Sequence, residues 1–172
     1  YRPAAVSLTA ATQLTQAHRA LRLGRPEAVW ATLHQLWSHQ ASPGLYTWDA
    51  PRPTQDEVAD GWQYARGWHN ETAVSPDYET AALLLLLQQD MLAYLDEAAA
   101  EPTVVLGAGI TPAWLPQPMA VSNLALPGGS ITWQWDGQKM RVTLRGPVRK
   151  IQLGSAFPPG TELAVVQKPL RP

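Results

Sequence analysis

The fold is decided by residues 131–144, which read ITWQWDGQKMRVTL. Apolar and polar side chains alternate on both sides of Asp136-Gly137, a dipeptide that strongly favours a hairpin turn. Alternation with a period of two predicts strands that each bury one face. The buried faces would carry Ile131, Trp133 and Trp135 on the first strand, and Met140, Val142 and Leu144 on the second. This stretch therefore predicts the centre of an antiparallel sheet.

Further short runs of strand-forming residues surround this hairpin. Turn signals such as Gly128-Gly129 and Gly146-Pro147 separate them. The predicted strands span residues 103–106, 119–126, 130–135, 139–145, 148–153 and 162–167. Residues 101–172 are therefore predicted to form a C-terminal β domain, a small antiparallel β-sandwich.

The chain before this domain shows the helical spacing of three and four. Residues 5–23 form one predicted helix and a second begins at Pro26, with Gly24 between them as a typical helix stop. Because the connection is so short, the two helices should form an antiparallel hairpin. Residues 77–100 form a third predicted helix, which contains five consecutive leucines at 83–87. A helix this apolar is typically buried, so we expect an upstream part of the same protein, a partner subunit or close docking of the β domain to cover it.

Composition narrows the class of protein. The chain has 172 residues, a net charge of −1 and no cysteine. Its 13 basic and 14 acidic residues predict no binding to nucleic acid or to an anionic membrane, because no excess of cations could replace phosphate counterions. The lack of cysteine excludes disulfides, thiolate metal sites and cysteine nucleophiles. The leucine run is also far shorter than the roughly 20 apolar residues of a membrane-spanning helix.

The sequence contains no recognisable cofactor motif. A G-x-x-x-x-G-K-[ST] phosphate loop and a G-x-S-x-G nucleophile elbow are both missing. Gly107-Ala108-Gly109 follows a predicted strand, but the Thr111-Pro112 that comes next argues against the helix of a dinucleotide site. No two histidines have the His-x-x-x-His spacing that shares a helical face. We therefore expect neither a cofactor nor a metal site.

Residues 40–76 lack a periodic pattern and are rich in proline, glycine and aromatic residues. A connection this long inside a domain is uncommon and is often functional. Flat aromatic rings can stack on the apolar faces of sugars, while polar side chains bind the hydroxyl groups. The candidate substrate-binding residues are Tyr46, Trp48, Trp62, Trp68 and His69. Packing of these rings within their own loop explains the pattern equally well.

Four of the other five tryptophans have spacings typical of a core. Trp30 and Trp37 lie seven residues apart in the second predicted helix. Trp133 and Trp135 share one face of a strand. We expect the first pair to pack inside the helical part, and the second pair to form the β core or its contact with the helices.

Five short segments of the sequence occur in the same order as similar segments near the C-terminal end of large glycoside hydrolases. They are AHRALRLGRPEA at 17–28, DYETAALLLLL at 77–87, LGAGITPAWL at 106–115, VSNL at 121–124 and GSITWQW at 129–135. Together they extend over nearly the whole chain, which resembles the α-L-rhamnosidase-like six-hairpin glycosidases. The resemblance implies an α+β chain: the last helices of an (α/α) toroid in residues 1–100, with the aromatic loop at 40–76, followed by a small antiparallel β-sandwich.

The resemblance also implies a function. The chain would complete the catalytic barrel and form one wall of the cleft for a carbohydrate substrate, in an enzyme that hydrolyses glycosidic bonds, without being catalytic alone. The family's general acid would lie upstream of Tyr1, and its opposing base is a Glu in a late loop beside aromatic residues. The nearest match here is Tyr46-Thr47-Trp48-Asp49, with Asp in place of Glu.

Asp49 and Glu71 are the catalytic candidates, because hydrolysis of a glycosidic bond uses two carboxyl groups that face each other. Asp49 stands between Trp48 and Ala50-Pro51, and Glu71 follows closely on a histidine that it could orient. The alternative interpretation is that both are solvated loop or capping carboxylates. Two other functions also stay open: a non-catalytic carbohydrate-binding or structural module, and an α+β protein-interaction domain whose leucine helix binds a partner.

Overall fold

A computed structural model of the chain describes residues 9–38, 50–51, 73–74, 78–147 and 149–169. Within these ranges the protein belongs to the α+β class, with three α-helices and two mixed β-sheets. The helices are α1 (Ala10–Arg22), α2 (Pro26–Ser38) and α3 (Tyr78–Leu92). The strands are β1 (Ala50–Pro51), β2 (Ala73–Val74), β3 (Ala93–Asp96), β4 (Thr103–Leu106), β5 (Met119–Leu126), β6 (Gly129–Trp135), β7 (Lys139–Arg145), β8 (Lys150–Leu153) and β9 (Glu162–Lys168).

The first two helices form the predicted hairpin, and the chain turns between them at Gly24. This residue adopts a left-handed φ of 68°. The N–H of Arg25 donates to the C=O of Ala20 at 3.0 Å, which closes the end of α1. Pro26 then takes the first position of α2, where its missing N–H costs nothing. Of the first predicted helix, residues 5–8 lie outside the described part of the chain.

The third helix is shorter than predicted. It ends at Leu92 and passes directly into β3, so the prediction of a helix to residue 100 is wrong. Residues 93–96 instead pair antiparallel with β4, with Ala93 opposite Leu106. Helix propensity is a weak preference that strand pairing can override. This β3–β4 hairpin spans the predicted domain boundary between residues 100 and 101.

The leucine run is buried on one side only. Leu87 is fully buried against α1 and α2, and Leu83 and Leu84 are partly buried with it. Leu85 and Leu86, by contrast, are exposed to 67% and 53%. The described residues therefore do not provide the expected burial on nearly all sides of this helix.

Two sheets contain the longer strands. The middle sheet has the order β3-β4-β8, and the outer sheet has the order β5-β6-β7-β9. The pairs β4–β8 and β7–β9 are parallel, so the prediction of an antiparallel sandwich is wrong for these two pairs. The parallel pairs arise because the chain leaves the outer sheet after β7, joins the middle sheet as β8, and returns as β9.

The middle sheet is covered on both faces. All four residues of β4 are buried. Successive side chains of a strand point to opposite faces. Val104 and Leu106 accordingly pack with the outer sheet, whereas Val105 packs with the three helices. The described part of the chain therefore forms three layers: helices, middle sheet and outer sheet.

The central hairpin of the outer sheet forms as predicted. Trp133 and Val142 lie opposite each other in the β6–β7 pair, and both are buried. The Nε1 of Trp133 donates to the C=O of Leu92 at 3.2 Å, and the Nε1 of Trp135 donates to the C=O of Leu115 at 2.8 Å. The prediction that these rings form the β core or its contact with the helices is confirmed, since both belong to the apolar cluster of the outer sheet.

Replacing Trp133 tests its central place in the core. Trp133→Ala should lower the free energy of unfolding by about 3–5 kcal/mol, because it leaves a cavity and removes the donor to Leu92. Gln134→Ala changes an exposed neighbour on the same strand and should stay within about 0.5 kcal/mol. Denaturant unfolding followed by circular dichroism measures both values. Equal losses in the two variants would contradict this assignment.

The turn between β6 and β7 contains a carboxylate that links stability to pH. The Oδ1 of Asp136 accepts hydrogen bonds from the N–H of Lys139 at 2.9 Å and the N–H of Gln138 at 3.1 Å. These two bonds lower the pKa of Asp136 below its usual value, and the bond from Lys139 has the larger effect. A carboxyl whose pKa falls on folding stabilises the protein above its unfolded pKa. That stability is lost as the pH falls through the folded pKa.

Asp136→Ala should therefore lower the midpoint of thermal unfolding at neutral pH. The difference from the parent chain should shrink as the pH falls below about 4, and it should vanish once the carboxyl group is protonated in the folded state as well. Glu97→Ala removes an exposed carboxylate outside this turn and serves as the matched control. Unfolding midpoints recorded across the acid range test the expectation, and a difference independent of pH would refute it.

Candidate functional site

An aromatic pocket lies where α2, the C-terminal end of α3 and residues 109–114 meet. It encloses about 200 Å³. Three tryptophans, Trp30, Trp37 and Trp114, line it together with Leu33, Gln88, Met91, Leu92, Gly109 and Ile110. We call this the aromatic pocket.

Helix α2 places two of these rings because it has two neighbouring stripes of side chains. The stripe that faces the core consists of Val29, Leu33 and Leu36. Trp30, His34 and Trp37 follow at the same spacing, one position further along the chain. Residues three and four apart lie on one helical face, so these three rings form a second face beside the core face.

A hydrogen bond and ring contacts fix the geometry of the aromatic pocket. The Nε1 of Trp30 donates to the C=O of Gly109 at 2.8 Å. The centroid of the Trp30 ring lies 5.2 Å from that of Trp114, and the two planes are tilted by 46°. The ring of His34 meets Trp37 edge-on at 5.8 Å. These are the tilted and edge-to-face arrangements that aromatic pairs prefer.

Two tryptophans of the pocket, Trp30 and Trp37, were expected to pack inside the helical part, and only Trp30 packs, partly buried, against its apolar cluster. Trp30 is half-buried, Trp37 is exposed to 41% and Trp114 to 43%. The expectation that Trp37 packs inside the helical part is therefore wrong. Its spacing from Trp30 reflects the second face of α2, which borders the pocket. Two exposed indole rings at the mouth of a preformed pocket offer a flat apolar surface to a ligand.

The polar groups at the aromatic pocket are few. Gln88 belongs to its lining and His34 contacts the rings of Trp30 and Trp37; both polar side chains are exposed. None of the lining residues named above carries a carboxyl group. The described lining can therefore bind and orient a ligand, but it does not itself supply the pair of carboxyl groups that glycoside hydrolysis uses.

A separate polar cluster ties α1 to α3 and β3. The Nη2 of Arg22 donates to the Oδ2 of Asp90 at 2.9 Å, and the Nδ1 of His18 lies 3.7 Å from the same oxygen. The guanidinium carbon of Arg22 lies 3.7 Å from the centre of the Tyr94 ring. Burial raises the pKa of Tyr94, and the positive charge of Arg22 partly opposes this. Asp90 neutralises the charge of Arg22. The cluster therefore links α1 to α3 and β3, and it does not offer a positive charge to a ligand.

The buried Nε2 atom of His18 has no hydrogen-bond partner in this cluster. The Nδ1 of the same ring lies 3.7 Å from the Oδ2 of Asp90, which is too long for a hydrogen bond. An unpaired buried ring nitrogen lowers the stability that the cluster contributes.

The seven predicted site residues lie outside the described ranges, and their roles stay predictions. They are Tyr46, Trp48, Asp49, Trp62, Trp68, His69 and Glu71. What the structure does describe nearby is the short antiparallel pair β1–β2, with Ala50 opposite Val74. In the same pair, Pro51 lies opposite Ala73.

The residues of the aromatic pocket were missed by the sequence analysis. Trp30 and Trp37 have a spacing that fits a core stripe, and Trp114 lies far away in the sequence. A signal was nevertheless present. Helix α2 carries two adjacent stripes of large side chains. A single neighbouring helix covers only one such stripe, so the second stripe needs another explanation.

Comparisons with known proteins identify no relative. No protein-family model matches the chain, and no curated protein or solved structure matches it. Across the residues that the structure describes, no three His, Cys, Asp or Glu side chains form a group that could hold a metal ion. In the same part of the chain, no helix is both long and apolar enough to cross a bilayer.

Substitution of single rings tests how the aromatic pocket is held. Trp30→Phe should lower the free energy of unfolding by about 1–3 kcal/mol, because the buried C=O of Gly109 loses its donor. Trp37→Phe replaces a largely exposed ring by a smaller one and should change stability by less than about 0.5 kcal/mol. Chemical denaturation gives both values. If Trp30→Phe is as well tolerated as Trp37→Phe, the bond to Gly109 does not hold the pocket.

Proposed function

We propose that the chain is the C-terminal portion of a carbohydrate-active enzyme that hydrolyses glycosidic bonds, and that the aromatic pocket binds a sugar ring. One observation carries this proposal: Trp37 and Trp114 are exposed at the pocket beside Trp30, a third ring fixed by its hydrogen bond. The resemblance to six-hairpin glycosidases supports it. Helices α1 to α3 would be the last helices of an (α/α) toroid, completed by an upstream part of the same protein or by a partner subunit.

The chemistry of the aromatic pocket suits a sugar ring. One face of a pyranose is formed by C–H groups, and burying it against an indole gains apolar contact. The hydroxyl groups at the edge of the ring need polar partners, which the amide of Gln88 and the imidazole of His34 offer. The volume of about 200 Å³ is below the roughly 300–1,000 Å³ of pockets for drug-sized ligands. We therefore expect one sugar ring to enter the pocket.

Catalysis would be carried by other residues. Two opposed carboxyl groups are required, and none belongs to the described lining of the aromatic pocket. In this proposal the pocket is part of one wall of the substrate cleft. Asp49 and Glu71 remain the catalytic candidates within the chain, and the resemblance places the general acid in the upstream part of the enzyme.

Titration calorimetry with a panel of mono- and oligosaccharides, including rhamnose-containing ones, tests the binding function. Trp37→Ala and Trp114→Ala should each weaken binding by about tenfold or more, which corresponds to about 1.4 kcal/mol, because a stacking surface is lost. Tyr78→Ala is the control, since this ring is 77% exposed on α3 and does not belong to the lining. Unchanged affinity in both tryptophan variants, or no binding of any sugar in the panel, would overturn the proposal.

A protein-interaction function is the second candidate, and the exposed leucines of α3 favour it. Leu85 and Leu86 are exposed to 67% and 53%. Leu85 precedes Gln88 by three residues, so it lies on the face of α3 that borders the aromatic pocket. This function is favoured if no sugar binds and if Leu85→Gln combined with Leu86→Gln abolishes association with the upstream part or a partner subunit while leaving the fold intact.

A further inference from the structure

Strand β9 is an exposed edge of the outer sheet. It pairs with β7 on one side, and no strand in the described part of the chain pairs with its other side. Val165 and Val166 are exposed to 46% and 52%. An edge with apolar side chains and unpaired backbone groups is a template for a further strand.

The opposite edge of the same sheet is protected in a way that β9 is not. Strand β5 has an irregularity in its register between Val121 and Leu124, and Asn123 within it adopts a left-handed φ of 53°. Such bulges twist an edge and interrupt pairing. The register of β9 against β7 is continuous from Glu162 to Lys168. The regular edge of the outer sheet is therefore β9.

One hydrogen bond shows which backbone groups of β9 face outward. The N–H of Gly146, which follows β7, donates to the C=O of Lys168 at 3.3 Å. In a strand, the N–H and C=O of one residue point to the same side, and neighbouring residues alternate. The backbone groups of Lys168 and of every second residue before it therefore face β7. Those of Leu163, Val165 and Gln167 face outward.

The sequence of β9 is complementary to itself in the antiparallel direction. It reads ELAVVQK, with an acidic residue at its first position and a basic residue at its last. If two copies pair about Val165, Glu162 of each lies opposite Lys168 of the other, and Val165 lies opposite Val165. In this register, the outward-facing residues Leu163, Val165 and Gln167 of one copy lie opposite the outward-facing residues of the other. Their backbone groups can therefore form the hydrogen-bonded pairs of an antiparallel ladder.

We infer that two copies of this chain associate through antiparallel pairing of β9 about a two-fold axis at Val165. The two outer sheets then form one continuous sheet across the dimer. Valine side chains meet at its centre, and opposite charges meet at both ends of the strand. A two-fold contact of this kind is closed, so it forms a dimer and does not propagate into a filament. Any other strand-forming partner of β9 would leave the isolated chain monomeric.

Cysteine scanning tests the register directly, because the chain contains no cysteine of its own. In Val165→Cys the two thiols would lie opposite each other, with Cα atoms about 5.5 Å apart, within the range that a disulfide spans. Mild oxidation with oxidised glutathione should therefore convert most of the Val165→Cys chain to a covalent dimer. Ala164→Cys is the matched control. In the proposed register, residue 164 of one copy lies opposite residue 166 of the other, so the two thiols would be beyond disulfide reach.

Charge exchange tests the same register without oxidation. Glu162→Lys and Lys168→Glu should each raise the dimer dissociation constant at low salt, because like charges then meet at both ends of the strand. The double variant that carries both changes should restore it. Ala31→Lys adds one positive charge at an exposed site of α2, outside the outer sheet, and is the control. Sedimentation equilibrium measures the constants, and circular dichroism confirms that each variant is folded.

Three results would overturn the inference. The first is a parent chain that is monomeric, with a dissociation constant weaker than about 1 mM. The second is equal cross-linking of the Val165→Cys and Ala164→Cys chains, since this would show random collision. The third is a double charge variant that associates no better than the single variants.

Discussion

The capping of α3 by residues 107–109 is the interaction on which the other layers depend. The helix ends without a connecting loop, so its last carbonyl groups need partners. The N–H of Gly109 donates to the C=O of Met91 at 2.9 Å, and the N–H of Gly107 donates to the C=O of Leu92 at 2.8 Å. The indole of Trp133 adds a second bond to Leu92 from the outer sheet. The end of this one helix is thus the place where all three layers are joined.

The same short loop also positions the aromatic pocket. Its Gly109 accepts the hydrogen bond of Trp30, and a Cβ at this position would overlap the side chain of Met91. Gly107 has a left-handed φ of 62°, which most residues avoid. The glycines in this phrase therefore serve close packing and a tight turn. For this reason, the glycines do not lead into the helix that a dinucleotide site requires.

The outer sheet could be predicted from the sequence almost residue by residue. Two of its predicted strands, at 119–126 and 139–145, have the observed bounds, as does the predicted strand at 103–106 in the middle sheet, because alternation and turn residues are local signals. The parallel partners of β4 and β7 could not be predicted, since they depend on where the chain crosses between sheets. Residues 93–96 continue a helical pattern locally and become a strand only through pairing with β4.

The aromatic pocket could not be predicted for a similar reason. Trp30 and Trp114 are separated by about half of the chain's length, and their elements meet only in the folded protein, where Trp30 bonds to Gly109 and its ring contacts Trp114. A spacing of seven residues describes a helical face but does not say what covers it. Tertiary packing decides whether a stripe of side chains lies in the core or borders a binding site. In α2 the two stripes are adjacent, and packing buries one more deeply than the other.

Burial of the middle sheet on both faces has a consequence for how the protein opens. Val104 and Leu106 belong to one apolar cluster and Val105 to the other, so neither cluster can be exposed without disturbing β4. Local openings that release only the helices, or only the outer sheet, would still expose one face of this strand. The backbone amides of β4 should therefore exchange with solvent only in the most extensive unfolding events, with the slowest exchange of the chain.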